Sequence, residues 1–164
     1  MKKPWIIAIS GEKNTGKTTV IEGMIREFSE FSLRVATVKH DGHCFAPDRP
    51  GTDSYRHLRA GAVGAAVFDK EKYQVVSYMP VDEKMFMAMF PQADVILLEG
   101  FKDSNWPKVE ILREGYSSHP IRNRATVLAT VCDWESLPAS SPIFGFDNIK
   151  GLVQFLVESS LNGL

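Results

Sequence analysis

The chain has 164 residues, of which 44% are hydrophobic and 24% are charged, so its length and composition suit one compact domain, residues 1–164. The 19 Lys and Arg residues nearly balance the 20 Asp and Glu residues, and this balance does not predict a nucleic-acid or anionic-membrane surface. Two cysteines are too few for a secreted disulfide framework, and no apolar run has membrane-spanning length, so we expect a cytoplasmic protein.

The first part of the chain predicts a strand, a glycine-containing loop and a helix. The apolar run Trp5 to Ile9 predicts a buried strand, and the apolar spacing from Thr19 to Phe28 predicts a helix. Between them the pattern GxxxxGKT occurs without a gap, as Gly11, Glu12, Lys13, Asn14, Thr15, Gly16, Lys17 and Thr18. Loop N–H groups and the positive end of the helix converge on one anion. This arrangement predicts that the segment from Gly11 to Thr19 binds a nucleoside triphosphate.

Two side chains of this phosphate loop have predicted roles. Lys17 is expected to reach the β- and γ-phosphates, and the hydroxyl of Thr18 is expected to ligate Mg²⁺. The alternative is a glycine turn before an ordinary core helix, with Lys17 exposed to solvent.

A second strand is predicted at Leu33 to Val38, and it delivers Lys39, His40 and Asp41 at its carboxyl end. Ligands of parallel sheets bind at this edge, so these residues are expected to lie near the phosphate loop. Asp41 is a candidate for the magnesium site. The segment from His40 to Asp53 is predicted to be a long loop, and long ordered loops are often functional.

The same loop carries a cluster whose interpretation is open. His40, His43 and Cys44 are possible ligands of a transition metal. Their spacing matches no common structural zinc pattern, so contacts to a phosphate or substrate, or ordinary loop hydrogen bonds, are alternatives.

The middle of the chain predicts a helix and a hairpin. Thr52 or Asp53 is a candidate N-cap for a helix that ends near Ala60. Ala62 to Phe68 and Tyr73 to Tyr78 predict two strands joined by a charged turn. We expect this hairpin to join the sheet, giving a three-layer α/β fold with a mostly parallel but mixed sheet.

A later strand supplies Glu99, which is a candidate catalytic residue together with Lys17. A helix is predicted from Asp82 to about Phe90, followed by a buried strand at Ala93 to Leu98 that ends in Glu99. An acid in this position resembles the second phosphate-site motif, in which it polarises water or lies near magnesium. The alternative is a carboxylate at the edge of the sheet, paired with Lys102.

The last third of the chain predicts two more strands and a terminal helix. The strands are Lys108 to Leu112 and Thr126 to Val131, and the second is followed by Asp133. A carboxylate accepts both the N1–H and the amino hydrogens of guanine, which adenine cannot match, so Asp133 is a candidate for guanine recognition. It is equally a common type of turn residue. Asn148 is a candidate N-cap for the final helix.

Several segments together resemble one known family, the B protein of molybdopterin-guanine dinucleotide biosynthesis (MobB). They are the phosphate loop, Val38-Lys39-His40 with His43, Asp48 to Tyr55, Leu58 to Ala62, and Leu98 to Lys102. The resemblance implies a P-loop GTPase-like fold, a homodimer, and binding of GTP and Mg²⁺ with slow hydrolysis. It also implies assistance to a MobA-type nucleotidyltransferase that joins GMP to molybdopterin.

The resemblance also bears on individual residues. It implies guanine recognition for Asp133, and contact with molybdopterin or phosphate for Lys39, His40 and His43. The side chains of Glu12, Lys13 and Asn14 depart from some relatives, so only backbone roles are carried over to these three positions.

Other function classes fit parts of the pattern. A metal-insertion GTPase would use His40, His43 and Cys44, whereas a small-molecule kinase would bind its acceptor in the long loop. A nucleotide-gated binding module would need no turnover. No arginine is identifiable as a catalytic finger, although Arg49, Arg56 and Arg59 lie in or after that loop.

Overall fold

The computed structural model describes residues 3–41, 48–121, 124–134 and 141–161. The chain divides into two compact units, which are Met1–His40 with Phe86–Leu164, and Asp41–Met85. The elements in chain order are β1 (Trp5–Ser10), α1 (Lys17–Glu30), β2 (Val35–Lys39), α2 (Asp53–Arg59), β3 (Gly64–Phe68), β4 (Tyr73–Ser77), α3 (Glu83–Met89), β5 (Val95–Glu99), β6 (Lys108–Leu112), β7 (Val127–Cys132), β8 (Ile143–Phe144) and α4 (Ile149–Leu161). A single functional domain stays a prediction.

The first unit contains a six-stranded sheet in the order β2-β5-β1-β6-β7-β8, and all of its strand pairs are parallel. The register aligns Glu99 of β5 with Lys39 of β2 and with Ile9 of β1. The predicted α/β class with a mostly parallel sheet is confirmed. The short strand β8 was not expected, because two residues carry no periodic signal.

Strand β1 illustrates how the sheet buries both faces. Ile7 and Ile9 belong to a core shared with α1 and α4, whereas Ile6 and Ala8 belong to a second core on the opposite face. This split follows from the two-residue repeat of a strand. The partly buried side chains of Phe86, Phe90, Phe101 and Trp106 pack against the second core. The continuous apolar run therefore corresponds to a strand covered on both faces.

The second unit consists of α2 and the β3–β4 hairpin. Thr52 caps α2, because its hydroxyl accepts a hydrogen bond from Tyr55 N at 3.3 Å. The hairpin is antiparallel and forms its own two-stranded sheet, so the prediction that it makes the main sheet mixed is wrong. Most of its side chains are exposed, whereas a strand inside a parallel sheet is buried on both faces.

No helix in the described ranges is long and apolar enough to cross a bilayer.

Two charged side chains of β6, Lys108 and Glu110, are fully buried in the first unit. Lys108 Nζ donates to the carbonyl oxygens of Phe101 (3.4 Å), Lys102 (3.0 Å) and Ser104 (2.7 Å). Burial lowers the pKa of Lys108, and the charge of Asp103 opposes that shift. A buried ammonium is tolerated when its donors are all used. Lys108 therefore fixes the turn that follows β5.

We predict that Lys108→Met lowers the free energy of unfolding by about 2–4 kcal/mol, because three carbonyl groups lose their donor. Urea denaturation followed by circular dichroism measures this change. The matched control is Lys150→Met on an exposed position of α4, which should change stability by less than about 0.5 kcal/mol. Equal midpoints for Lys108→Met and the parent would contradict the anchoring role.

Candidate functional site

The two glycines of the phosphate loop are required for different reasons. Gly16 caps α1 with φ +90°, a left-handed conformation that favours glycine. A Cβ at Gly11 would lie 2.6 Å from the carbonyl oxygen of Ile111, so only glycine permits the loop to pass so close to β6. The predicted order of strand, glycine loop and helix is confirmed.

The side chain of Lys17 lies across its own loop. Its Nζ donates to the carbonyl oxygens of Gly11 (3.0 Å) and Glu12 (2.5 Å). Burial lowers the pKa of Lys17, and the nearby Glu99 carboxylate partly opposes this shift. Thr15 is buried and donates to Glu12 O at 3.0 Å, which closes the first turn of the loop. Lys17 is therefore held at the loop by main-chain acceptors rather than extended into solvent.

The remaining loop positions face outward. Asn14 adopts φ +65°, and the side chains of Lys13, Asn14, Thr18 and Thr19 are exposed. The loop thus presents polar side chains and its backbone to solvent at the start of α1.

Glu99 and Lys39 meet where β5 and β2 end. Lys39 Nζ lies 3.3 Å from Glu99 Oε1, and the Glu99 side chain is only 16% exposed. The alternative that paired Glu99 with Lys102 is wrong in its partner, because the parallel register places Lys39 directly beside Glu99. The negative charge of Glu99 also acts to raise the pKa of Lys17. Lys17, Lys39 and Glu99 therefore form a charged cluster at the carboxyl edge of the sheet.

The candidate metal residues are only partly described. His40 N donates to Glu99 O at 3.2 Å, and the His40 ring lies 5.7 Å from the Phe101 ring. His43 and Cys44 lie outside the described residues, and Asp41 belongs to the second unit. Within the described ranges, no group of three His, Cys, Asp or Glu residues is arranged to hold a metal ion. Metal binding by this cluster stays a prediction.

Asp133 joins the ends of β6 and β7. Its Oδ1 accepts from Glu114 N at 2.7 Å, and its Oδ2 lies 3.9 Å from Arg113 Nε. The carboxylate is about 40% exposed, so one side of it faces solvent. These contacts fix the orientation of Asp133 without burying it.

Arg113 connects Asp133 to the phosphate loop, and sequence reasoning missed it. Its guanidinium lies 4.9 Å from the centre of the Phe146 ring, and its Nη1 is 3.1 Å from the place that a Cβ of Gly16 would occupy. Arg113 directly follows β6, and the rule about carboxyl ends of strands that selected Asp133 also applies to it. Phe146 carried no comparable signal.

A second missed contact ties the phosphate loop to the segment after β6. Glu12 Oε1 accepts hydrogen bonds from Ser118 N (3.0 Å) and Ser118 Oγ (2.6 Å). The hydroxyl of Ser118 is the main cause of a lowered pKa for Glu12. The two residues are 106 positions apart in the chain, so no local pattern indicates the contact.

Known proteins resemble this chain along most of its length. A protein of Escherichia coli named "Molybdopterin-guanine dinucleotide biosynthesis adapter protein" is 27% identical over 162 residues, which cover 93% of this chain and 91% of that protein. A Bacillus subtilis protein with the name "Probable molybdopterin-guanine dinucleotide biosynthesis adapter protein" is 34% identical over 113 residues, or 66% of this chain and 65% of the relative.

The fold agrees with a solved structure. The crystal structure of Bacillus subtilis MobB superposes with a TM-score of 0.71 at 29% identity and covers 97% of this chain and 99% of that chain. The sequence model of the family described as "Molybdopterin guanine dinucleotide synthesis protein B" matches residues 6–133, which include the phosphate loop, Lys39, Glu99 and Asp133. The chain therefore belongs to the MobB family.

Proposed function

We propose that this chain is a GTP-binding accessory protein of molybdenum cofactor biosynthesis, which assists the conversion of molybdopterin to molybdopterin guanine dinucleotide. The observation that carries the proposal is the cluster of Lys17, Lys39 and Glu99 beside a glycine loop, in a chain of the MobB family. The names of the relatives support an adapter role, and the partner in this proposal is a nucleotidyltransferase of the MobA type. We place this activity in the cytoplasm.

The phosphate loop binds the triphosphate in this proposal. N–H groups from Gly11 to Thr19 and the start of α1 hold the phosphates, and Lys17 exchanges its two carbonyl acceptors for phosphate oxygens. Lys39, His40 and His43 contact the terminal phosphate or molybdopterin. A small rearrangement of Lys17 is sufficient, because its ammonium already lies at the loop.

The residues present suit a magnesium ion bound with the nucleotide. The exposed hydroxyl of Thr18 and the carboxylate of Glu99 are oxygen donors of the type that Mg²⁺ prefers. Asp41 is a further candidate donor. The ion would neutralise charge on the phosphates, while Glu99 orients the ion or the attacking water.

Guanine recognition is assigned to Asp133. Its carboxylate accepts from the N1–H and the amino group of guanine, and adenine lacks this donor pair. Arg113 and Glu114 N hold the carboxylate in place. Arg113 also lies next to Gly16 of the phosphate loop. In this proposal Asp133 binds the base, the phosphate loop binds the phosphates, and Arg113 lies between them.

Hydrolysis is expected to be slow. Arg113 is already engaged by Asp133 and Phe146, and the sequence does not single out Arg49, Arg56 or Arg59 as a catalytic finger. A catalytic arginine contributes about 10³ to 10⁵ to the rate of phosphoryl transfer, and no such residue is assigned here. The bound nucleotide therefore serves mainly as a ligand for the adapter role.

We further propose that the chain forms a homodimer through the β3–β4 hairpin. The hairpin exposes large apolar side chains on one face, namely Phe68 (80%), Tyr73 (61%) and Val75 (53%), because Phe68 pairs with Tyr73 and Val75 is two residues beyond Tyr73. Contiguous exposed apolar side chains are typical of protein contacts.

We predict that Lys17→Met weakens binding of Mg²⁺–GTP by about tenfold or more, because a charge-assisted contact to the phosphates is lost. Isothermal titration calorimetry measures the affinity. The melting temperature should stay close to that of the parent, because burial penalises the charged form of Lys17. Undiminished affinity would contradict the role given to the phosphate loop.

We predict that Asp133→Asn exchanges a preference for GTP for a preference for XTP, because an amide can donate to the 2-oxo group of xanthine. Competition of each nucleotide against a fluorescent GTP analogue gives the ratio of affinities. Glu22→Gln on the exposed side of α1 is the matched control and should leave this ratio unchanged. Equal loss of both nucleotides would indicate a structural effect instead of base recognition.

We predict that Phe68→Glu combined with Val75→Glu converts a dimer into a monomer, because the substitutions place charges in an apolar contact. Sedimentation equilibrium measures the mass in solution. Lys70→Glu in the turn of the same hairpin is the control. A parent protein that is monomeric, or a double variant that stays dimeric, would contradict this contact surface.

A further inference from the structure

A cavity of about 810 Å³ lies beside the phosphate loop within the first unit. It is bounded by the start of that loop (Gly11 to Lys13), the turn after β5 (Lys102 and Asp103), the end of β6, and the segment from Ser118 to Ile121. Pockets for small organic ligands have volumes of about 300–1,000 Å³. None of Lys17, Thr18 and Asp133 lines the cavity, so it borders the GTP site through the start of the phosphate loop without sharing the side chains assigned to GTP.

The walls of this cavity are held in place by side chains that are buried or that take part in two hydrogen bonds. Lys108 holds the turn after β5 through three carbonyl oxygens. Glu110, which is fully buried, accepts from Ile121 N and pairs with Arg124. Glu12 accepts two hydrogen bonds from Ser118. A ligand would therefore meet a preformed surface, which reduces the entropy lost on binding.

Three charged side chains of the lining are available to a ligand. Glu12 and Glu110 are occupied by the contacts above, whereas the exposed side chains of Lys13, Lys102 and Asp103 make no hydrogen bond or close ion pair with another described residue, and only the charges of Lys102 and Asp103 act on Glu12 and Lys108. His119 also lines the cavity, and its Nδ1 lies 2.8 Å from Ser118 Oγ. The lining thus offers one carboxylate, two ammonium groups and an imidazole.

This set matches the polar groups of a phosphorylated pterin. A pterin carries an N3–H and a 2-amino group side by side, and a carboxylate accepts from both. A phosphate monoester carries up to two negative charges, which lysine ammonium groups bind. An adenine ring offers no adjacent pair of donors of this kind, whereas guanine does. The carboxylate and the lysines would therefore bind different groups of one ligand.

We infer that this cavity binds a pterin monophosphate beside the nucleotide. Asp103 accepts from N3–H and the 2-amino group, and Lys13 and Lys102 bind the phosphate. The inference rests on the proposed function, because it assigns the pterin ligand of that function to a site of its own. Fixed walls place this ligand next to Gly11 and Glu12 of the phosphate loop.

The test uses the full chain with Mg²⁺ and a non-hydrolysable GTP analogue, titrated with neopterin monophosphate and followed by the polarisation of pterin fluorescence. We expect saturable binding, weakened about tenfold or more in Asp103→Asn and in Lys102→Met. Glu22→Gln and Lys150→Met, exposed positions on the two long helices, are the matched controls and should bind like the parent. Neopterin without its phosphate should bind about tenfold more weakly than the monophosphate.

Three results would overturn the inference. They are absence of binding, equal binding by Asp103→Asn and Lys102→Met, and competition by inorganic phosphate as effective as that by the pterin monophosphate. Lys17→Met separates this site from the nucleotide site, because it should lose the GTP analogue and keep neopterin monophosphate. If the parent binds GTP but no pterin monophosphate, the cavity assignment alone fails; if it binds no GTP, the proposed function fails.

Discussion

The close approach of the phosphate loop to β6 is the constraint on which the rest of the site depends. Gly11 passes so near the main chain of Ile111 that a methyl group would overlap its carbonyl oxygen. With the loop in this position, Lys17 folds onto the carbonyl oxygens of Gly11 and Glu12. Glu12 in turn reaches Ser118 beyond the end of β6. A glycine needed for sterics thus sets the position of several charged groups.

The sheet supplies the second level of organisation. Because every pair in the six-stranded sheet is parallel, the residues that follow its strands meet at one edge. Lys39, Glu99, Arg113 and Asp133 all lie at or just beyond such strand ends. Buried Lys108 and Glu110 fix the connections between these ends, which keeps the charged groups in place. The same fixed connections enclose the cavity beside the loop.

Features determined by local sequence were predictable, and features determined by tertiary contacts were not. The phosphate loop, its helix and the bounds of β6 follow from spacing and apolar runs. The hairpin was predicted, but its sheet was not, since strand pairing depends on which face another element covers. The partner of Glu99 is Lys39 because of parallel register, whereas chain proximity favoured Lys102. The contact of Arg113 with Phe146 and the contact between Glu12 and Ser118 depend on packing alone.

The central claim is that this loop binds the triphosphate of GTP while Asp133 reads the guanine. A crystal structure of the chain with Mg²⁺ and a non-hydrolysable GTP analogue tests it most directly. The account predicts phosphates within hydrogen-bonding distance of the N–H groups between Gly11 and Thr18, and guanine N1 and N2 beside the carboxylate of Asp133. A nucleotide bound elsewhere, or a guanine edge that faces away from Asp133, would contradict it.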